Sequence, residues 1–118
     1  MMTQSTTTFS RGDVVVVDFL YPDQRGSKHR PALVVSSASY HAGRQEVVLA
    51  GLTSNIGRRL PGDTNLADWA SADLPLPSVV TGILQTVKRS AVMRALGSLS
   101  ARDLRAVDGN LRDALGLS

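Results

Sequence analysis

The chain has 118 residues, 42% of them hydrophobic and 19% charged, with ten Gly and five Pro, which is the size and composition of one globular domain. It contains no Cys and only two His, His29 and His41, which excludes a disulfide framework, a zinc ribbon, an iron–sulfur site, a cysteine nucleophile and a His-rich metal cage. The formal net charge is +3, and the excess lies in the first half: residues 1–59 hold seven basic and four acidic side chains, residues 60–118 six of each.

The first residues, Met1–Thr8, are polar and Thr-rich and predict a flexible arm over residues 1–9 ahead of a single domain over residues 10–118. They lack the basic start and apolar run of a signal peptide. The longest aliphatic run, Val14–Val17, is far too short to span a bilayer, so no membrane association and a cytoplasmic location are expected. Four consecutive valines within Asp13–Leu20 predict a strand buried on both faces. Tyr21–His29, with Pro22, Asp23, Gly26 and Ser27, predicts a loop. Pro31–Ser37 and Glu46–Thr53 predict two further strands joined by a hairpin around His41–Arg44, and Ser54–Asp63 another loop.

Thr64–Trp69 is expected as a short strand ended by Pro75 and Pro77, with more strands at Ser78–Thr81, Ile83–Lys88 and Met93–Leu99 and a helical turn at Arg89–Ala91. The last element changes period. Ser100 caps a helix over Ala101–Leu115, with Asp103 in its first turn and Gly116 beyond its end. Leu104, Val107, Leu111 and Leu115 line one helical face. The fold class is therefore mainly β with a C-terminal α-helix, a small β-barrel or curled sheet. Phe19 and Trp69 are expected in the core.

No phosphate-binding glycine loop, dinucleotide fingerprint, HExxH pair or Gly-x-Ser-x-Gly elbow occurs, and Glu46 is the only glutamate. These absences point away from nucleotide-, metal- and triad-based chemistry and leave RNA cleavage open, because RNA carries its own nucleophile in the 2′-hydroxyl. A protein that aligns this oxygen with the adjacent phosphorus needs fixed donors for the phosphoryl oxygens and a route for two protons. The stretch Arg25–Arg30 carries Arg25, Lys28, His29 and Arg30 with no acid, as a phosphate-rich partner requires; the same stretch also suits a solvated loop.

Arg11-Gly12-Asp13-Val14-Val15-Val16-Val17-Asp18, followed after a Gly-containing loop by Arg30-Pro31-Ala32-Leu33-Val34-Val35-Ser36, resembles the opening of the MazF/PemK toxins, ribonucleases of type II toxin–antitoxin pairs. Val48-Leu49-Ala50-Gly51-Leu52-Thr53-Ser54, Pro77-Ser78-Val79-Val80 with Leu84-Gln85-Thr86-Val87, and Leu96-Gly97-Ser98-Leu99-Ser100 with the final helix continue the resemblance over residues 10–117. It implies an SH3-like barrel of the MazF/PemK/CcdB type, usually a homodimer. It also implies cofactor-free, metal-independent cleavage of single-stranded RNA to 2′,3′-cyclic phosphate and 5′-hydroxyl ends, inhibited by a cognate antitoxin.

By position the resemblance makes Arg30 and Thr53 the catalytic pair, with Arg25, Lys28, His29, Ser54 and Tyr21 as RNA contacts. Without it, Arg30 is equally a partner for Asp18 or Asp23, and Thr53 a residue that simply suits a strand. Many members carry a Glu ahead of the Arg-Pro step, where this chain has only Asp23, so the general base stays unassigned. Two alternatives share the barrel: a plain RNA- or protein-binding module, and a gyrase poison. The latter uses a terminal aromatic on the last helix, whereas this chain ends Leu115-Gly116-Leu117-Ser118.

Overall fold

The computed structural model describes residues 8–19 and 28–117, with only the backbone of Lys28. Residues 1–7 of the expected arm and most of the expected loop, with Tyr21, Asp23 and Arg25, lie outside the described residues. Among the described residues, six strands form one antiparallel sheet: β1 Asp13–Phe19, β2 Lys28–Val34, β3 Glu46–Thr53, β4 Thr64–Asn65, β5 Val79–Lys88 and β6 Arg94–Ser98. Their spatial order is β4-β5-β3-β2-β1-β6, a curled half-barrel. The helices are α1, Ala38–Gly43, and α2, Ala101–Leu115. The mainly β class with a C-terminal helix is as the sequence predicts.

Alternation along the central strands produces two cores. Val14, Leu33, Ala50, Leu52 and Val80 pack on one face against Val107 and Leu111 of α2. Val15, Val17, Phe19, Ala32, Val34, Val47 and Leu49 pack on the other, together with Phe9. Val14, Val15 and Val17 are all at most 1% exposed, which is how a run of valines serves both faces of one strand. Each such buried side chain contributes roughly 1.5–3 kcal/mol.

Helix α2 has the predicted limits. Ser100 Oγ accepts from the Asp103 N–H at 3.2 Å, and Gly116 closes the helix with φ of 72°, a left-handed conformation that suits Gly. Asp103 is nearly inaccessible, and its carboxylate accepts from the N–H groups of Ala67 at 2.9 Å and Asp68 at 2.8 Å. It fastens the β4-following loop to the start of α2. Leu115, expected on the buried stripe, is 56% exposed and lines an open cleft with Val48 and Leu84.

Other boundaries differ from expectation for local reasons. β2 starts at Lys28 rather than Pro31, because Lys28 and His29 pair with Phe19 and Asp18 of β1. β2 and β3 pair antiparallel as expected, but α1 takes in His41–Gly43 of the expected turn; it is capped by Ser37, whose Oγ accepts from the Tyr40 N–H at 3.2 Å. Beyond Asn65 the expected strand gives way to a loop and a 3-10 turn at Ala70–Ala72. The two strands expected at residues 78–88 are one, β5. Its register against β3 shifts between Ala50 and Leu52, and the buried Thr81 hydroxyl donates to the Gly51 carbonyl there at 2.7 Å. That bond satisfies an acceptor the shift would otherwise strand.

Candidate nucleic-acid interface

β2 and β3 pair through Ala32↔Gly51, Leu33↔Ala50 and Val34↔Leu49. Pro31 has no N–H to donate, which fits the end of this ladder at Ala32. Both strands nevertheless continue: Arg30 pairs with Val17 of β1 and Thr53 with Val79 of β5. The β2–β3 register, carried two residues further, sets Arg30 across from Thr53. Neighbours so placed in an antiparallel sheet have Cβ atoms about 4.5–5.5 Å apart. Arg30 alternates with Ala32 and Val34, and Thr53 with Leu49 and Val47, all on the Phe19 face. Arg30 and Thr53, 23 positions apart in the chain, thus lie near the ends of adjacent strands and share the strand parity of that face.

Both side chains are half-buried, and Arg30 Nε is shut off from solvent. Thr53 Oγ1 accepts from the Asn55 N–H at 3.1 Å, which fixes the hydroxyl oxygen and leaves its one O–H to donate. Ser54 follows, exposed. The loop after it is held by Asp63, whose carboxylate accepts from Arg58 Nε at 2.8 Å, the Leu60 N–H at 3.2 Å and the Gly82 N–H at 3.1 Å. Gly62 and Gly82 touch at that anchor, where an added Cβ on either would meet the other's Cα at 3.2 Å.

His29 is not brought to Arg30. It belongs to the opposite face of β2, and its Nε2 lies 3.1 Å from Asp18 Oδ1 with both side chains mostly exposed. Asp18, a possible partner for Arg30 on sequence grounds, lies beside His29. Lys28 shares the parity of Arg30 along β2, and Arg25 and Tyr21 lie outside the described residues. Trp69 is half-buried against the helix-side core, and Phe19 is fully buried.

Among the described residues no three His, Asp or Glu side chains come together as a metal-ligand set, and no helix is long and apolar enough to cross a membrane. Two clefts, of about 790 and 610 Å³, open elsewhere on the molecule. Sequence reasoning missed the larger one, because its Arg44 and Arg89 are 45 residues apart and are joined by the pairing of β3 with β5.

The family model described as the PemK-like, MazF-like toxin of type II toxin–antitoxin systems matches residues 10–115. The chain belongs to the PemK/MazF toxin family. Solved structures agree in fold. An endoribonuclease in complex with its cognate antitoxin from a mycobacterial species superimposes with a TM-score of 0.76 at 22% identity, covering 94% of this chain and 98% of that one. The Mycobacterium tuberculosis toxin MazF-mt6 gives 0.73 at 23% identity, covering 90% and 98%. A MazE–MazF complex from Deinococcus radiodurans gives 0.71 at 24% identity, covering 96% and 100%. No curated protein matches the chain by sequence. For this PemK/MazF chain the structural likenesses carry the half-barrel and its helix, and the site rests on its own residues.

Proposed function

We propose that this toxin is a sequence-selective endoribonuclease that cleaves single-stranded RNA without a metal, with Arg30 and Thr53 as its catalytic pair. The observation that supports the reading is the β2–β3 register, whose last pair is Ala32↔Gly51; extended by two residues, it puts Arg30 opposite Thr53. Solved relatives of the same fold include an endoribonuclease bound to its cognate antitoxin, which supports the same pairing here.

In the reaction the RNA 2′-oxygen attacks the adjacent phosphorus. The new P–O2′ bond forms as the P–O5′ bond breaks, the 2′-hydroxyl loses its proton, and the departing 5′-oxygen gains one. The products are a 2′,3′-cyclic phosphate and a 5′-hydroxyl. Arg30 donates two N–H groups to the non-bridging oxygens, where charge accumulates, and its guanidinium offsets that charge. Thr53 donates its O–H to the same phosphoryl group. Lys28 and Ser54, with Arg25 and Tyr21 from the preceding loop, extend the RNA track. The general base is unassigned. The active species is a homodimer in the cytoplasm, silenced by a cognate antitoxin.

Arg30→Ala tests the assignment. The variant is expected to lose about 10²–10³-fold in cleavage rate, as when one charge-stabilising donor is removed, while its thermal midpoint stays within a few degrees. A folded variant that cleaves at the parent rate overturns the role given to Arg30.

A further inference from the structure

β3 begins at Glu46, which pairs with Lys88 at the end of β5; Thr53 ends the same strand at the other extreme. Arg44 precedes β3 and Arg89 follows β5. Arg44 Nε lies 3.0 Å from Glu46 Oε1, and Lys88 Nζ lies 3.7 Å from Oε2. Arg89 is tied to the same turn: its backbone N–H donates to the Gln45 carbonyl at 2.8 Å and its Nη2 to the Arg44 carbonyl at 3.3 Å. These residues, with His41 and Gln45, surround the open cleft of about 790 Å³. Arg44, Lys88 and Arg89 share this cleft with one carboxylate, an excess of two positive charges.

The chemistry of the lining selects the occupant. No apolar side chain larger than the methyl of Ala42 faces the cleft, so nothing there anchors the apolar residues of a bound peptide. Arg and Lys instead offer N–H donors suited to phosphate oxygens. We propose that this cleft is a second phosphate-binding site, which holds the RNA backbone outside the cleaved step. The inference rests on the ribonuclease reading above. Glu46 and Thr53 are seven residues apart along β3, about 23 Å at ~3.3 Å per residue, so a few nucleotides separate the two sites. Backbone contacts position a strand without reading its bases. The cleft therefore adds affinity for longer RNA and leaves sequence choice to the Arg30–Thr53 end.

The test uses random-sequence single-stranded RNA, 2′-O-methylated throughout so that no 2′-hydroxyl can attack, at about 6 and about 20 nucleotides, lengths that bracket common single-strand site sizes. The triple variant Arg44→Gln, Lys88→Gln, Arg89→Gln is expected to bind the long RNA about tenfold more weakly, with the slope of log affinity against log salt reduced by ~0.7 for each phosphate that is no longer neutralised. Its binding of the short RNA and its cleavage of unmodified short RNA stay unchanged. Glu46→Gln, which removes the one carboxylate, is expected to tighten the long RNA, a direction that misfolding does not produce. Equal weakening of both lengths, or no weakening of either, overturns the proposal. So does unchanged RNA binding with reduced affinity for poly-glutamate, which makes the cleft a docking point for an acidic protein. Failure of the parent protein to cleave any unmodified RNA defeats the ribonuclease reading separately, and the binding comparison still decides the cleft.

Discussion

His29 Nε2 lies 3.1 Å from Asp18 Oδ1 across the β1–β2 ladder, and this pairing holds the imidazole nearest the candidate site on the face away from Arg30. An imidazole is the usual proton carrier near neutral pH. Its placement here makes it a cross-strand partner of a carboxylate. The expected outcome for His29→Gln is a cleavage rate within about threefold of the parent, far from the 10²–10⁴-fold contribution of a general base. Single-turnover rates of the two proteins across neutral pH check this, and a hundredfold loss would make His29 the missing base.

Thr53 separates hydroxyl chemistry from strand propensity. Thr53→Val keeps the β-branched shape and removes both the O–H and the acceptor of the Asn55 N–H. It is expected to lower kcat about 10–100-fold with KM little changed, as for a donor used in the transition state. Thr53→Ser keeps the oxygen and is expected to stay within about threefold on the same scale. Equal losses in Val and Ser variants would assign Thr53 a packing role.

Much of the fold was legible in the sequence where one residue type carried one physical demand. Ser100, Asp103 and Gly116 marked helix α2 to the residue, because caps and the left-handed stop are local chemistry. Four valines marked β1 because both of its faces are covered. What escaped was set at a distance. The extension of β2 through Lys28 and His29 depends on β1 alongside it. Ser37 starts α1 in a segment that also suits a hairpin. The single long β5 survives Gly82 only because Thr81 fills the register shift opposite Gly51. At the candidate site, Arg30 and Thr53 came from a resemblance over ordered motifs, and what the ladder adds is the adjacency of their strands, paired as far as Ala32↔Gly51.

Asp103 is the strongest stability test outside the site. Asp103→Ala removes the acceptor of two backbone N–H groups and the carboxylate in the first turn of α2. The expected cost is about 2–4 kcal/mol, read as a lower urea midpoint with an unchanged slope. Asp103→Asn, which retains one acceptor oxygen, is expected to lose about half as much. A loss within experimental error would mean that the 67–68 loop is not fastened by this side chain.

Acid sensitivity follows from two exposed pairs. Hydrogen bonds from Arg102 hold the Asp68 carboxyl below its ordinary range, and those from Arg44 do the same for Glu46. A carboxylate depressed in the folded state adds stability that is complete above its unfolded value, about 4, and is lost as pH falls through the folded value. The thermal midpoint is therefore expected to fall as pH drops below about 4, and Arg102→Gln should flatten that part of the curve without changing its shape near neutrality. An identical curve for the variant would show that the Asp68 pair contributes nothing to acid stability.

The most direct measurement incubates the purified toxin with a mixed-sequence single-stranded RNA in excess chelator, beside the all-2′-deoxy copy of the same sequence. The expected result is cleavage of the RNA alone, at a short recurring sequence, leaving 2′,3′-cyclic phosphate and 5′-hydroxyl ends. Cleavage of the deoxy copy, 5′-phosphate ends, or activity abolished by the chelator would contradict attack by the 2′-oxygen under the charge of Arg30 and the hydroxyl of Thr53.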